Sequence, residues 1–241
     1  MSTKEKVLEA LEREKGNFIS GEALAGICNV SRNAIWKSIT ELKKKGYAIS
    51  SVTNRGYCLA VDNDVISPEG INRYMKSAAK VIVLEEVDST NSEAKRKLLF
   101  DPEDAHHGTI IVAKSQSAGK GHKGKFLSPK GGIYFSIVLD ASDIAAQGKK
   151  VTLKVREIVK DVLEKTFDHS FLQKEDSTFF LKDEKICGIL TEAIVDLETE
   201  HYSYYIVGIG IHTDALKQSS KTFVEKNRVI ATLAEQVITG V

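Results

Sequence analysis

The sequence is poor in the residues that mark metal centres, disulfide frameworks and membrane spans. It has three cysteines in 241 residues, and Cys28, Cys58 and Cys187 lie far apart without a CxxC pair. This spacing excludes the common zinc and redox motifs, so we expect no metal site and three reduced thiols in the core. No apolar run approaches the roughly 18 residues of a transmembrane helix, and we expect no membrane association.

An excess of charge of either sign is also missing. The chain carries 34 Lys and Arg against 33 Asp and Glu, a formal charge of +1. This balance excludes a uniformly basic nucleic-acid binder, so any nucleic-acid surface must be local. The amino terminus, MSTKEKVLEALEREK, is charged from its fourth residue and does not resemble a signal peptide, so we expect a cytoplasmic protein.

The single tryptophan, Trp36, lies in a pattern of three short helices. Apolar residues recur at helical spacing before Gly16, Ser20 can cap a second helix, and Ser31 can cap a third that ends near Gly46. Because indole is large, we predict that Trp36 packs against the wing that follows. The polar face and cap of the third helix hold the predicted DNA contacts: Ser31, Arg32, Asn33, Lys37 and Thr40.

A hairpin follows the third helix. In YAISSVTNRGYCL alternating apolar residues flank a turn with an Asn and a Gly, which predicts two short strands. Arg55 at the tip of this wing can reach a phosphate or a minor groove. An isolated basic helix is often only a solvated face, but here two helices and a wing follow in order. Residues 1–63 are therefore predicted to form a winged helix-turn-helix domain that binds a double-stranded DNA operator.

This segment resembles a known family. SRNAIWKSITELKKKGYAISSVTNRGYCL is similar, nearly residue for residue, to the amino-terminal domain of the bifunctional biotin protein ligases that also act as biotin operon repressors.

Residues 67–241 alternate apolar strands with helices. The pattern predicts helices near 90–99, 149–166 and 226–238, and hence an α+β domain built on a mixed sheet. The predicted strands are KVIVLEEV, GTIIVAKS, GGIYFSIVLD, KICGILTEAIV and YSYYIVGIGI.

Two segments of this domain carry candidate ligand contacts. DSTN, residues 88–91, lies at a strand-to-helix transition, where Ser89 or Thr90 can cap the helix. In KSQSAGKGHKGKFLSPKGG, glycines alternate with lysines, so the backbone can approach an anion closely. Read alone, the first segment is a helix cap and the second a mobile surface loop.

Together these segments resemble the adenylate-binding site of the biotin and lipoate ligase superfamily, as do Tyr134 with Ser136, KICGIL and GIGI. The resemblance implies a class II synthetase-like fold, with biotin or biotinyl-AMP as ligand and ATP and Mg²⁺ as cofactors of an active enzyme. It implies Lys174 as the catalytic lysine. It also implies these ligand contacts: Ser89, Thr90, Asn91, Gln116, Gly119, Lys120, His122, Lys123, Lys174 and Gly188.

The sequence departs from this family in its catalytic segment. Counting back from Lys185, the family motif KWPND falls on KEDST, so only Lys174 remains. Two arginines of the loop are Lys120 and His122, and the last asparagine of GIGIN is His212. The loop is one residue shorter before Ser128. The sequence ends at RVIATLAEQVITGV, so we expect no carboxy-terminal β-barrel of the kind that closes these ligases.

Three interpretations remain open. The first, which we favour, is a homodimeric transcriptional regulator whose ligase-like domain senses a small-molecule effector, a vitamin or coenzyme-related acid, and has lost ligase activity. The alternative is an active bifunctional biotin protein ligase and biotin operon repressor. The third is a winged-helix protein whose second domain binds only a protein partner or itself.

Overall fold

The computed structural model describes residues 1–101, 103, 105–121, 124–174, 177–214, 216 and 223–241. The chain forms two compact units. The first comprises Met1–Tyr74 with Glu225–Arg228, and the second comprises Met75–Val224 with Val229–Val241. The first unit thus extends beyond the boundary that the sequence predicts at residues 63–67.

Three serine-capped helices build the first unit. They are α1 (Thr3–Arg13), α2 (Gly21–Cys28) and α3 (Arg32–Lys44). The side chains of Ser2, Ser20 and Ser31 each accept a backbone N–H of the first helical turn, which satisfies donors that the helix itself leaves unpaired. The core of this unit lies between the helices and contains Leu11, Leu24, Ile35, Ile39 and Leu42.

The wing has the predicted position. Strands β1 (Ile49–Val52) and β2 (Gly56–Leu59) pair antiparallel, and a bridge between Ile19 and Tyr57 ties the wing to the residues before α2. Asn54 and Gly56 have φ angles of 64° and 100°, the left-handed region that such a turn requires. A short helix, α4 (Pro68–Asn72), closes the unit.

The placement of Trp36 corrects the sequence-based prediction. Its side chain is 57% exposed and does not pack into the core. The buried positions of α3 are Ile35, Ser38, Ile39 and Leu42. Trp36 follows the first of these by one residue, so the helical period places it instead on the face of Asn33, Lys37 and Thr40.

The buried face of α1 carries a carboxylate. Glu12 is 1% exposed, and both its carboxylate oxygens lack a hydrogen-bond partner among the described residues. The guanidinium of Arg73 lies 3.8 Å away. Burial raises the pKa of Glu12, and the attraction of Lys15 and Arg73 does not offset it. A raised native-state pKa means that this group stabilises the fold below its unfolded pKa, near 4.5, and that the stability is lost as pH rises through the native pKa.

The variant Glu12→Gln is therefore expected to raise the free energy of unfolding at pH 8, because a neutral amide costs less to bury than a carboxylate. At pH 4 the difference from the wild type should shrink, since both side chains are then uncharged. Urea unfolding at both pH values measures this, with the exposed Glu14→Gln as control. An effect of Glu12→Gln that is equal at both pH values would contradict the assignment.

The second unit is built on a seven-stranded mixed sheet. Its strand order is β3-β4-β7-β11-β10-β9-β8, and the pair β3/β4 is parallel whereas the other pairs are antiparallel. The strands are β3 (Val81–Val87), β4 (Ile110–Gln116), β7 (Ile133–Asp140), β8 (Leu172–Lys174), β9 (Thr178–Leu181), β10 (Glu184–Val195) and β11 (Tyr202–Ile211). A small hairpin, β5 (Lys120–Gly121) with β6 (Gly124–Lys125), lies between β4 and β7.

The long helices of the described part of the chain after β3 are α5 (Thr90–Phe100), α6 (Lys149–Phe167) and α7 (Lys226–Gly240). Together with the sheet they confirm the predicted α+β class. Cys28, Cys58 and Cys187 are free and buried, as expected, and burial raises the pKa of Cys187 to about 12. Among the described residues no helix combines the length and the apolar character that a membrane span requires.

Candidate functional site

A cavity of the second unit lies where the start of α5 meets β10 and β11. Its volume is about 40 Å³. The lining combines amides and hydroxyls, apolar side chains, and two lysines, which suits a ligand with a polar head, an apolar body and an anionic group. The lining residues are Ser89, Thr90, Asn91, Gln116, Lys120, Gly121, Phe126, Thr178, Lys185, Gly188, Ile189, Leu190, Gly208, Ile209 and Gly210.

Gln116 holds the first turn of α5. Its Oε1 accepts from the backbone N–H of Thr90 at 2.8 Å, and its Nε2 donates to Ser128 Oγ at 2.9 Å. Ser89 is the N-cap of α5 but makes no side-chain cap hydrogen bond, so the amide of Gln116 meets the helix end instead. One glutamine thereby connects β4, α5 and the segment after β6.

Asn91 connects α5 to the central strands. It is 3% exposed; its Oδ1 accepts from the Ser136 hydroxyl at 2.6 Å, and its Nδ2 donates to the carboxylate of Glu192 at 2.8 Å. Burial acts to raise the pKa of Glu192, but hydrogen bonds from Lys95 and Asn91 outweigh it and hold that pKa below its usual value. The amide of Asn91 is thus fixed in orientation by charged and neutral partners.

The aspartate of the DSTN segment lies outside the cavity lining. Asp88 accepts two hydrogen bonds from the guanidinium of Arg96, at 2.7 and 3.0 Å, and one from the backbone N–H of Ser89 at 2.8 Å. The Arg96 guanidinium lowers the pKa of Asp88 to about 2. Asp88 therefore shapes the strand-to-helix turn, and the three residues after it line the cavity.

The lysines that line the cavity are not all those that the sequence predicts. Lys120 and Lys185 line the cavity, whereas Lys174 does not. The exposed Lys174 lies on β8, with its Nζ 4.1 Å from the ring centroid of Phe180. Sequence reasoning identified Lys185 only as part of KICGIL and gave it no role.

The remaining predicted contacts have three different outcomes. Ser89, Thr90, Asn91, Gln116 and Gly188 line the cavity together with Lys120. Gly119 is outside the lining, and its carbonyl accepts from the backbone N–H of Phe126 at 2.7 Å. His122 and Lys123 lie outside the described residues. So do Glu175 and Asp176 of the segment KEDST, which stands in the place of the family motif KWPND. Thr178, at the last position of that segment, lines the cavity.

The first unit carries the second candidate surface. Ser31, Arg32, Asn33 and Lys37 are exposed and Thr40 is half-buried, so α3 presents the predicted polar strip, with Trp36 in addition. The Ser31 hydroxyl caps α3, and the Thr40 hydroxyl donates to the Trp36 carbonyl at 2.8 Å. Arg55 is exposed on the wing, and its guanidinium lies 4.1 Å from the ring centroid of Phe18. That contact positions Arg55 beside the wing turn.

The fold and the cavity define a two-module protein: a winged helix-turn-helix unit and a ligase-type mixed-sheet unit. Each of the two units matches a known family. Residues 3–58 match the model of an HTH domain, and residues 83–211 match that of the Biotin/lipoate A/B protein ligase family. The chain belongs to the biotin/lipoate A/B protein ligase family.

Curated relatives share both modules. The bifunctional ligase/repressor BirA of Bacillus subtilis is 29% identical over 240 residues, which is 98% of this chain and 72% of the relative. That of Salmonella typhimurium is 31% identical over 201 residues, which is 82% of this chain and 60% of the relative. The biotin protein ligase of Aquifex aeolicus, solved with biotin and ATP, is 25% identical, with a TM-score of 0.51 over 66% of this chain and 68% of that one.

Proposed function

We propose that this protein is a DNA-binding transcriptional regulator whose ligase-like unit binds a small carboxylic acid, biotin or a related vitamin or coenzyme precursor, without activating it. The observation that carries the proposal is the composition of the cavity. Thr90, Asn91 and Gln116 are held in place there, whereas Lys174, the one residue of the family's catalytic segment that the sequence retains, is not in the lining. In this proposal the cavity supplies groups that bind an acid and lacks the lysine to which the family resemblance assigns its activation.

The lysines of the lining support an acidic ligand. Lys120 and Lys185 bring two ammonium groups to a site whose walls are otherwise neutral amides, hydroxyls and apolar side chains. A carboxylate placed between them would gain charge-assisted hydrogen bonds. Lysine provides a point charge and not the planar fork of arginine, so we expect this pair to hold a carboxylate better than to clamp a triphosphate in one geometry.

The face of α3 supports DNA binding by the first unit. Arg32, Asn33 and Lys37 offer charge and hydrogen-bond donors, and Trp36 offers an exposed apolar ring among them. Major-groove readers combine such donors with apolar contacts to thymine methyl groups. We assign the exposed indole to the DNA surface, with Arg55 of the wing at a flanking phosphate.

Binding to a duplex tests this assignment directly. Trp36 is the sole tryptophan, so its fluorescence reports on the proposed contact, and we expect it to change when duplex DNA is added. Lys37→Ala should weaken binding and reduce the slope of log K against log salt by about 1, because one phosphate contact is lost. Lys6→Ala, which removes an exposed lysine of α1, should leave the slope unchanged. If Lys37→Ala and Lys6→Ala have the same salt slope, the DNA does not bind at the polar face of α3.

Ligase activity is the second candidate function. It is favoured by the curated relatives, which are bifunctional and match 98% of this chain in the case of Bacillus subtilis. If the protein is active, Lys185 and Lys120 would have to take the role of the family's catalytic lysine, with ATP and Mg²⁺ supplied to the same cavity. In either case we expect a homodimer on DNA, since two winged helices then meet two half-sites.

A further inference from the structure

One wall of the ligand cavity is an aromatic side chain that packs on the backbone of the central strands. Phe126 is 6% exposed and forms part of the lining. A Cβ atom on Gly210 would lie 2.5 Å from two of its ring carbons, and one on Gly188 would lie 2.8 Å from another. The ring thus rests directly on the backbone of β10 and β11, at a place where only glycine leaves room.

Aromatic contacts hold the ring on its other sides. Tyr134 meets it edge-on, with ring centroids 6.2 Å apart, and His212 lies 5.1 Å away at an interplanar angle of 36°. The Nζ of Lys185 lies 5.0 Å from the ring centroid. These are favourable aromatic and cation–π geometries.

His212 also fastens the segment that carries Phe126. Its Nε2 lies 2.9 Å from the carbonyl oxygen of Leu127, and its Nδ1 lies 3.1 Å from that of Lys185. A neutral imidazole has one N–H and donates to one of these two oxygens, and the ring lies between the segment after β6 and the start of β10. The backbone N–H of Phe126 donates to Gly119 at 2.7 Å, which holds the same segment from the other side.

The free space beside the ring is too small for the proposed ligand. A cavity of about 40 Å³ holds a few water molecules, whereas pockets for small organic ligands measure roughly 300–1,000 Å³. The polar groups that would receive the ligand, Thr90, Asn91 and Gln116, line the same cavity as the ring. A ligand larger than this free space would compete with the Phe126 ring for room in the cavity.

We infer that Phe126 competes with the ligand for its site. In the ligand-free protein the ring occupies the space next to Gly188 and Gly210, which we call the slot, and the contacts of His212 hold it there. The inference rests on the proposed function, because it assigns a regulation to that site. The apparent affinity for the ligand equals the intrinsic affinity multiplied by the fraction of molecules in which the slot is open. Phe126 thus sets the concentration at which the regulator responds.

Calorimetry with biotin, on the full chain, tests the inference. Phe126→Ala is expected to bind biotin about ten- to a hundredfold more tightly than the wild type, since the burial of one phenylalanine no longer opposes the ligand. His212→Ala should tighten binding in the same direction. Leu127→Ala is the matched control, because that neighbouring side chain is 67% exposed and outside the slot. Unchanged or weaker binding by Phe126→Ala would overturn the inference.

Thiol alkylation gives a readout that does not depend on biotin. The native cysteines are buried, so single Phe126→Cys and Leu127→Cys variants report on these two positions. Without ligand we expect position 126 to react much more slowly than position 127, and biotin should accelerate only position 126. Equal rates without ligand would overturn the inference. If position 126 reacts slowly but no variant binds biotin, the result supports the closed slot and counts against the proposed function.

Discussion

Replacing Lys185 by alanine is expected to weaken the binding of a carboxylic acid ligand about tenfold or more. Lys185 lines the cavity, and a hydrogen bond to a charged group contributes about 1.5–3 kcal/mol. The exposure of this lysine places the expected loss toward the lower end of that range. Isothermal titration of the wild type and Lys185→Ala with biotin, and with its neutral amide, measures both the affinity and the share that the carboxylate contributes.

Lys174→Ala is the matched control for this experiment. The resemblance to the family points to Lys174, but this lysine lies on β8 against the ring of Phe180 and outside the lining. We expect its removal to leave biotin affinity within twofold of the wild type. The reverse result, with Lys174→Ala losing affinity and Lys185→Ala retaining it, would restore the role that the resemblance to the family assigns to Lys174.

The different positions of these two lysines illustrate what the sequence could not reveal. In a regular strand Lys185 and Cys187 would point to the same face. The pairing of β10 with β9 shifts register between Lys185 and Cys187, and Ile186 and Cys187 are consecutive buried residues. Such a bulge re-aims side chains, and an apolar–polar pattern does not show where it falls. The place of Lys185 in the cavity lining therefore became visible only in the structure.

Trp36 illustrates a different error. The size of the indole predicts burial, whereas the position of residue 36 around the helix predicts exposure. Ile35, Ile39 and Leu42 already define the buried stripe of α3, and position 36 falls outside it. The position of residue 36 relative to this stripe can be read from the sequence, and it predicts an exposed ring on the same face as Lys37.

Most of the fold followed from local patterns. The five long strands and three long helices of the second unit begin and end within about two residues of their predicted bounds, since each is a strongly periodic segment. The short strands β8 and β9 were missed because three or four residues carry too little pattern. The packing of Phe126 beside the cavity was not predictable, because it depends on contacts between distant segments, such as those with Gly210 and His212.

The second large effect concerns catalysis. The family's tryptophan, proline, asparagine and aspartate are absent after Lys174, and the lysine itself is outside the cavity lining. Each lost contact to the transition state is expected to cost about 10²- to 10³-fold in rate. A site that binds biotin should therefore form biotinyl-AMP far more slowly than an intact ligase does.

The most direct test is transfer of biotin to an acceptor domain. The protein is incubated with ATP, Mg²⁺, biotin and a biotin carboxyl carrier domain, and the labelled carrier and released AMP are quantified beside the Bacillus subtilis ligase/repressor. Calorimetry on the same preparation shows that biotin binds. We predict binding with a transfer rate at least about 10²-fold below that of the reference enzyme. Rapid labelling of the carrier would contradict the account and establish a working ligase.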